Sequence, residues 1–325
     1  MDSLSLIKRP IEHEIADFIE RFNAALTHEK GLLGNALTHI RQRGGKRMRP
    51  LLTFLLAKNY GEIGEQTFNA ALGLELLHTA SLVHDDVVDE SQERRGQPSM
   101  NASYNNKVAV LVGDYILSTA LLHVSNTGNQ RIIEHLSMLG QTLASGEILQ
   151  LSNIRNMDFS EKVYYDVIYK KTASLFESCA VLATLSVGAS TEDIEQAARF
   201  GSSLGMMFQI RDDIFDYYDS REIGKPTGND MLEGKLTLPV LYALKHSPYD
   251  SMINLAKKVK LGTINRDEIA VLVDYTRQNG GIEYAEQRML DFYRKGVQFI
   301  EDCVKKAEIR DALVTYLDYV MKRHF

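Results

Sequence analysis

The chain has no tryptophan, two cysteines and six prolines in 325 residues. Cys179 and Cys303 stand alone without Cys-x-x-Cys spacing, which gives no support to a disulfide framework or a cysteine zinc site and fits a reducing compartment. The opening stretch, Met-Asp-Ser-Leu-Ser-Leu-Ile-Lys-Arg-Pro, lacks the apolar core of a signal peptide. The longest uncharged run, Tyr115 to Gln130, ends in polar residues and falls short of the roughly 20 apolar residues of a membrane span. A soluble, cytoplasmic chain is therefore expected. Lys and Arg number 37 against 43 Asp and Glu, a net charge of −6, so there is no basic surplus to suggest nucleic acid as a partner. No proline occurs between Pro98 and Pro226, and turn clusters are few there, which predicts long helices joined by short loops. The β-branched segment Lys107 to Gly113 looks like a strand, but a lone strand has no partner and it is read as helix. The expected fold class is all-α, a single large helical bundle forming one domain over residues 1–325.

What is present is acid in a repeated pattern. Apolar residues at Leu72, Leu76, Ala80, Val83 and Val87 recur at helical spacing, and Asp85-Asp86-Val-Val-Asp89 rides on that helix. At 100° per residue Asp85 and Asp89 lie one turn apart, with His78, Ser81 and Leu74 on the same stripe. Like charges so placed repel unless cations occupy the site, and Mg²⁺ takes hard oxygen ligands while bridging to substrate phosphates. A solvated acidic helix end would read the same way taken alone. The pattern returns, however, at Asp212-Asp213-Ile-Phe-Asp216, with Gln209 on the same face.

Basic pieces accompany both copies. Gly44-Gly45-Lys46-Arg47-Met48-Arg49-Pro50 is a glycine pair leading into three cations and a proline suited to a helix's first turn, a plausible phosphate seat or simply a solvated basic turn. Arg94-Arg95-Gly96 follows the first acids, and Gly224-Lys225 and Gly234-Lys235 follow the second. Acids that gather metal beside bases that gather phosphate point to a diphosphate substrate. Helices are expected at Ile11 to Leu26, Ile132 to Leu151, Ser160 to Val187, Thr191 to Tyr218 and Tyr284 to Val304. Ser220 to Gly234 is polar and turn-rich, the natural place for a flap beside the second acids.

Taken in order, these motifs resemble the trans-isoprenyl diphosphate synthases, or polyprenyl synthetases, from Gly44 to Pro239. The resemblance is closest to long-chain members such as octaprenyl diphosphate synthases. It implies a bundle around a central cavity walled by the two acidic helices, holding three Mg²⁺ ions on Asp85, Asp89 and Asp212, with Asp86, Asp213 and Asp216 in support. It implies that Arg94, Lys171 and Lys225 grip an allylic diphosphate, with Lys235 also binding substrate. Lys46, Arg49, His78 and Arg95 would take isopentenyl diphosphate. Thr172 and Gln209 would steady the allylic cation. A homodimer, touching a membrane at most peripherally for product release, and a long product destined for a quinone side chain are further implications.

Product length has its own signal. In this family bulky aromatics four or five positions before the first Asp stop short products, and here those positions are Ala80 and Ser81. Leu77 and Leu74 lie further down, about 10 Å of depth between Ser81 and Leu74 at 1.5 Å per residue. That depth predicts a long product unless another helix, such as Ile132 to Leu151, supplies the floor. A short-chain farnesyl or geranylgeranyl diphosphate synthase and a non-catalytic subunit of a heterodimeric synthase are the alternatives within the family. A terpene cyclase is disfavoured by the basic turn, and a metal phosphohydrolase built on His84-Asp85 lacks further histidine ligands.

Overall fold

A computed structural model describes residues 2–42, 44–94, 96–154, 156–218 and 227–322. Among these residues the secondary structure is helical apart from one hairpin of two-residue strands, Glu93–Arg94 with Gln97–Pro98. The expected helices are present, that from Ser160 to Val187 in interrupted form, and the β-branched run lies in the helix Asn106–Ser125. That helix is long and apolar enough by composition to cross a membrane, which the sequence reading did not anticipate, and a third of its apolar window is buried in the fold. The chain resolves into two compact units, each assembled from separate stretches of sequence.

The first unit comprises Met1–Gly140, Glu177–Arg199 and Ile300–Tyr316. Met48–Tyr60 is apolar nearly all round, which commits it to the interior, and Leu51, Leu52, Phe54, Leu55 and Leu56 are buried. Phe18, Phe22, Phe54 and Phe68 form a chain of rings with centroids 5.1 to 6.0 Å apart. Glu65–Val88, the helix that carries the first acids, packs along Asn106–Ser125.

The second unit comprises Gln141–Phe176, Phe200–Phe299 and Leu317–Phe325. It carries the second acids on Thr191–Phe215. The helix expected from Ser160 to Val187 is interrupted: Glu161–Ile168 gives way to a π-helical turn, Tyr169–Ala173, before Ser174–Ser186 resumes. Such turns insert a residue and re-aim side chains, often at functional sites. Two glycines admit it. A Cβ on Gly146 would sit 2.7 Å from the Lys170 Cβ, and one on Gly205 would sit 2.5 Å from the Ala173 Cα. No flexible side-chain end could yield at Gly205, because the obstacle is backbone.

Gly205→Ala should therefore destabilise the protein by about 1–3 kcal/mol, the usual scale of overpacking, despite alanine's better helix propensity. Urea denaturation measures it. Unchanged or increased stability would show that the turn can shift freely.

Candidate active site

The first acids are not equivalent. Asp85 is half-buried and Asp89 exposed at the helix end, but Asp86 is fully buried. The hairpin explains this: Gly96 adopts a positive φ of 72° and folds Arg94 back, so that its Nε donates to Asp86 Oδ1 at 2.6 Å. A carboxylate expected off the buried face is thus an internal anchor, its charge met by a guanidinium. Arg95 lies outside the described residues. His84 turns towards Asn106–Ser125, with Nε2 3.3 Å from the Val110 carbonyl and 3.4 Å from Asp114 Oδ1. This orientation gives the phosphohydrolase reading no support.

The basic turn enters Met48–Tyr60 through left-handed backbone at Gly44 (φ 54°) and Arg47 (φ 52°). Lys46 is exposed and Arg49 half-buried. Arg47 Nη1 donates to Glu75 Oε1 at 3.0 Å, and its guanidinium lies 4.1 Å from the Phe22 ring centroid. One small cavity gathers Phe22, Gly44, Arg47, Glu75, His78 and Arg94. His78 and Arg94, read from the sequence as serving different diphosphates, here line the same cavity. Arg47 and Glu75 escaped the sequence reading, since a lone Glu on an apolar helix gives no sign of its partner.

The residues proposed to set product length are Leu74, Leu77 and Ala80, all buried, and half-buried Ser81, whose Oγ donates to the His78 carbonyl at 2.9 Å. Opposite Leu77 stands Gly140. A Cβ added there would meet only the Leu77 Cδ1, at 3.9 Å.

In the second unit a cavity of about 210 Å³ is lined by Lys171, Thr172, Gln209, Asp213, Asp230 and Lys235, with Lys260 at its edge. The π-helical turn presents Lys171, paired with Glu147, and Thr172, whose Oγ1 donates to Gln209 Oε1 at 2.7 Å. Gln209 Nε2 in turn donates to Asp213 Oδ1 at 2.8 Å, while the Tyr164 hydroxyl donates to Asp213 Oδ2 at 2.6 Å. Both oxygens of Asp213 are therefore held by the protein. Burial pushes its carboxyl up to about 6, against the pull of those two donors.

Asp216 caps the short helix Asn229–Leu232, accepting from the backbone N–H of Asn229 at 2.9 Å and of Asp230 at 3.2 Å. That helix leads to Gly234, in left-handed backbone at φ 81°, and Lys235, whose Nζ pairs with Glu233 at 2.6 Å. Lys225 and the first part of the expected flap, residues 220–226, lie outside the described residues, and the rest of it carries the helix Asn229–Leu232. Asp230 was also missed from the sequence; burial, with Asp213 and Asp216 adding to it, pushes its carboxyl up to about 8. Asp212, half-buried, completes the pentad.

Set against known proteins, residues 30–275 match the family model described as polyprenyl synthetase. The chain belongs to the polyprenyl synthetase family. An octaprenyl diphosphate synthase of Haemophilus influenzae is 34% identical, over 99% of this chain and 98% of that one. A solved geranylgeranyl pyrophosphate synthase of Bacteroides thetaiotaomicron is 50% identical with a TM-score of 0.87, covering 99% and 100%. A decaprenyl diphosphate synthase of Rhodobacter capsulatus is 31% identical with a TM-score of 0.91, covering 98% of each chain. As a polyprenyl synthetase the chain is a prenyl transferase of a family that depends on Mg²⁺. Within each unit the acids suit that ion, since Asp85 and Asp89 of the first and Asp212 of the second offer oxygen only. Among the described residues no three His, Cys, Asp or Glu side chains gather closely enough to hold a metal by themselves.

The raised Asp230 carboxyl gives a signed prediction. A native value near 8 against about 3.9 unfolded means that this group's stability is present below about pH 4 and is lost as pH rises through about 8. Asp230→Asn removes that loss. Without Mg²⁺, its stability relative to wild type should climb between about pH 4 and 8 and level off above that in urea titrations; a difference flat across that range would refute the burial argument.

Proposed function

We propose that the protein condenses an allylic diphosphate, farnesyl diphosphate, with successive isopentenyl diphosphates to give a long all-trans polyprenyl diphosphate. The observation that carries this reading is the pair of Asp-Asp-x-x-Asp pentads, each accompanied by cations: Arg94 in the first unit, Lys171 and Lys235 in the second. Asp85, Asp89 and Asp212 would hold three Mg²⁺ ions, whose positive charge stabilises the departing diphosphate. Arg94, Lys171 and Lys225 grip that diphosphate, and Lys46, Arg49, His78 and Arg95 hold isopentenyl diphosphate. Thr172 is positioned by its hydrogen bond to Gln209, which leaves hydroxyl lone pairs to face the allylic cation. The double bond of isopentenyl diphosphate attacks that cation, and the proton then lost passes to the departing diphosphate. Apolar walls keep water from the cation.

A product of about 40 carbons is favoured by the absence of bulk at Ala80 and Ser81 and by the depth below them. The glycine at position 140, where a Cβ would just touch Leu77 at 3.9 Å, adds to this, as do relatives named for octaprenyl and decaprenyl products. A quinone side chain is the destination that such a length suits. The second reading is a short product of geranylgeranyl length, favoured by the 50% identity to a geranylgeranyl pyrophosphate synthase. A homodimer belongs to the proposal, supported by Leu111, Leu121 and Leu122, large apolar side chains left exposed on Asn106–Ser125.

Purified protein given Mg²⁺, farnesyl diphosphate and labelled isopentenyl diphosphate should yield products near 40 carbons on chromatography after dephosphorylation, about twice the length the short reading requires. Ala80→Phe and Ser81→Phe should still condense but stop at about 15 to 20 carbons, because a ring then fills the path. An unchanged distribution in active variants would place the floor elsewhere.

A further inference from the structure

We infer that Arg47 and Glu75 form a latch that presets the basic turn for isopentenyl diphosphate, resting on the reading above that Lys46, Arg49 and His78 bind it. Arg47 is not a glycine, yet it holds φ 52° and ψ 39°, left-handed backbone that L side chains rarely adopt and keep only where their surroundings dictate it. Two contacts do so: the 3.0 Å hydrogen bond to Glu75 and the Phe22 ring 4.1 Å beneath the guanidinium. The turn is flanked by its working residues, Lys46 before Arg47 and Arg49 in the first turn of Met48–Tyr60. The Arg47 carbonyl starts that helix by accepting from the Leu51 N–H at 3.2 Å. Fixing Arg47 therefore fixes the direction from which both cations leave the backbone.

Glu75 is the other half. It is 6% exposed on the first acidic helix, three residues before His78, and shares a cavity with it. A buried carboxylate needs a cation, and Arg47 supplies one. Its second oxygen, Oε2, is buried without a hydrogen-bond partner, so among the described residues the Arg47 bond is the one that holds the carboxylate. Each partner thus depends on the other, and the first acidic helix is tied to the basic turn through them. They are positioning residues, acting through Lys46, Arg49 and His78.

The sign of one effect separates this role from simple electrostatics. Removing an acid beside a diphosphate site should tighten binding if charge alone mattered; removing a latch should loosen it. Glu75→Gln, close to isosteric, is expected to raise KM for isopentenyl diphosphate by about tenfold or more, the scale of one lost charge-assisted hydrogen bond, with kcat and the KM for the allylic primer nearly unchanged. Arg47→Gly, which accepts the left-handed backbone without strain but has no side chain, should do the same. The double variant should be no worse than either alone. Calorimetric titration of isopentenyl diphosphate into wild type and Glu75→Gln repeats the comparison without turnover, so an inactive wild type would overturn the proposed function and leave this test standing. Should Glu75→Gln fail to fold by circular dichroism, Arg47→Gly and Phe22→Leu carry the comparison, the latter with a smaller rise. An unchanged or lowered KM, or an equal rise for both substrates, overturns the latch.

Discussion

Crowding of carboxylates is the constraint on which the rest of this structure depends. A pentad with two adjacent acids and a third one turn on cannot leave all three exposed to one another without repulsion, and the fold resolves this the same way in both units. The middle acid is turned inward and met by donors, Arg94 for Asp86, Tyr164 and Gln209 for Asp213. The leading acid, Asp85 or Asp212, stays half-buried at the surface of its helix. Each pentad thus has one acid held as an internal anchor and a leading acid that, on the proposed function, serves as the ligand.

The anchors also organise the surrounding cations. Arg94 reaches Asp86 only because the hairpin turns at Gly96, and that places Arg94 beside His78 and the basic turn. In the second unit the chain from Asp213 through Gln209 to Thr172 passes onto the π-helical turn, where Lys171 sits. Asp216 does comparable work by capping Asn229–Leu232, which sets the approach of Gly234 and Lys235. In the second unit Thr172, Gln209, Asp213 and Tyr164 thus form one hydrogen-bonded chain, and in the first Asp86 is tied directly to Arg94.

Much of this was legible in the sequence, because helical period and motif spacing are local. Apolar steps through Leu72, Leu76, Ala80 and Val83 located the first acidic helix, and the long proline-free stretch predicted the helices that followed. The strand-like run at Lys107 was correctly read as helix, since a strand without a partner cannot satisfy its backbone. What stayed hidden depends on groups distant in sequence. Nothing near Asp86 says that Arg94 will fold back onto it, nothing near Glu75 names Arg47, and the π-helical turn exists because Gly146 and Gly205 yield space from other helices. Asp230 gives no local signal either: its raised carboxyl arises from burial beside Asp213 and Asp216.

The division of labour within the pentads is tested most directly by turnover measured against Mg²⁺ concentration in wild type and in variants of each acid. Asp85→Ala and Asp212→Ala should lower turnover by at least about a hundredfold at every Mg²⁺ concentration, the scale of losing a main transition-state stabiliser. Asp86→Asn and Asp213→Asn should lose stability instead, while half-saturating at nearly the wild-type Mg²⁺ concentration. Full wild-type turnover in excess chelator, or a Mg²⁺ requirement raised as much by Asp213→Asn as by Asp212→Ala, would contradict the account.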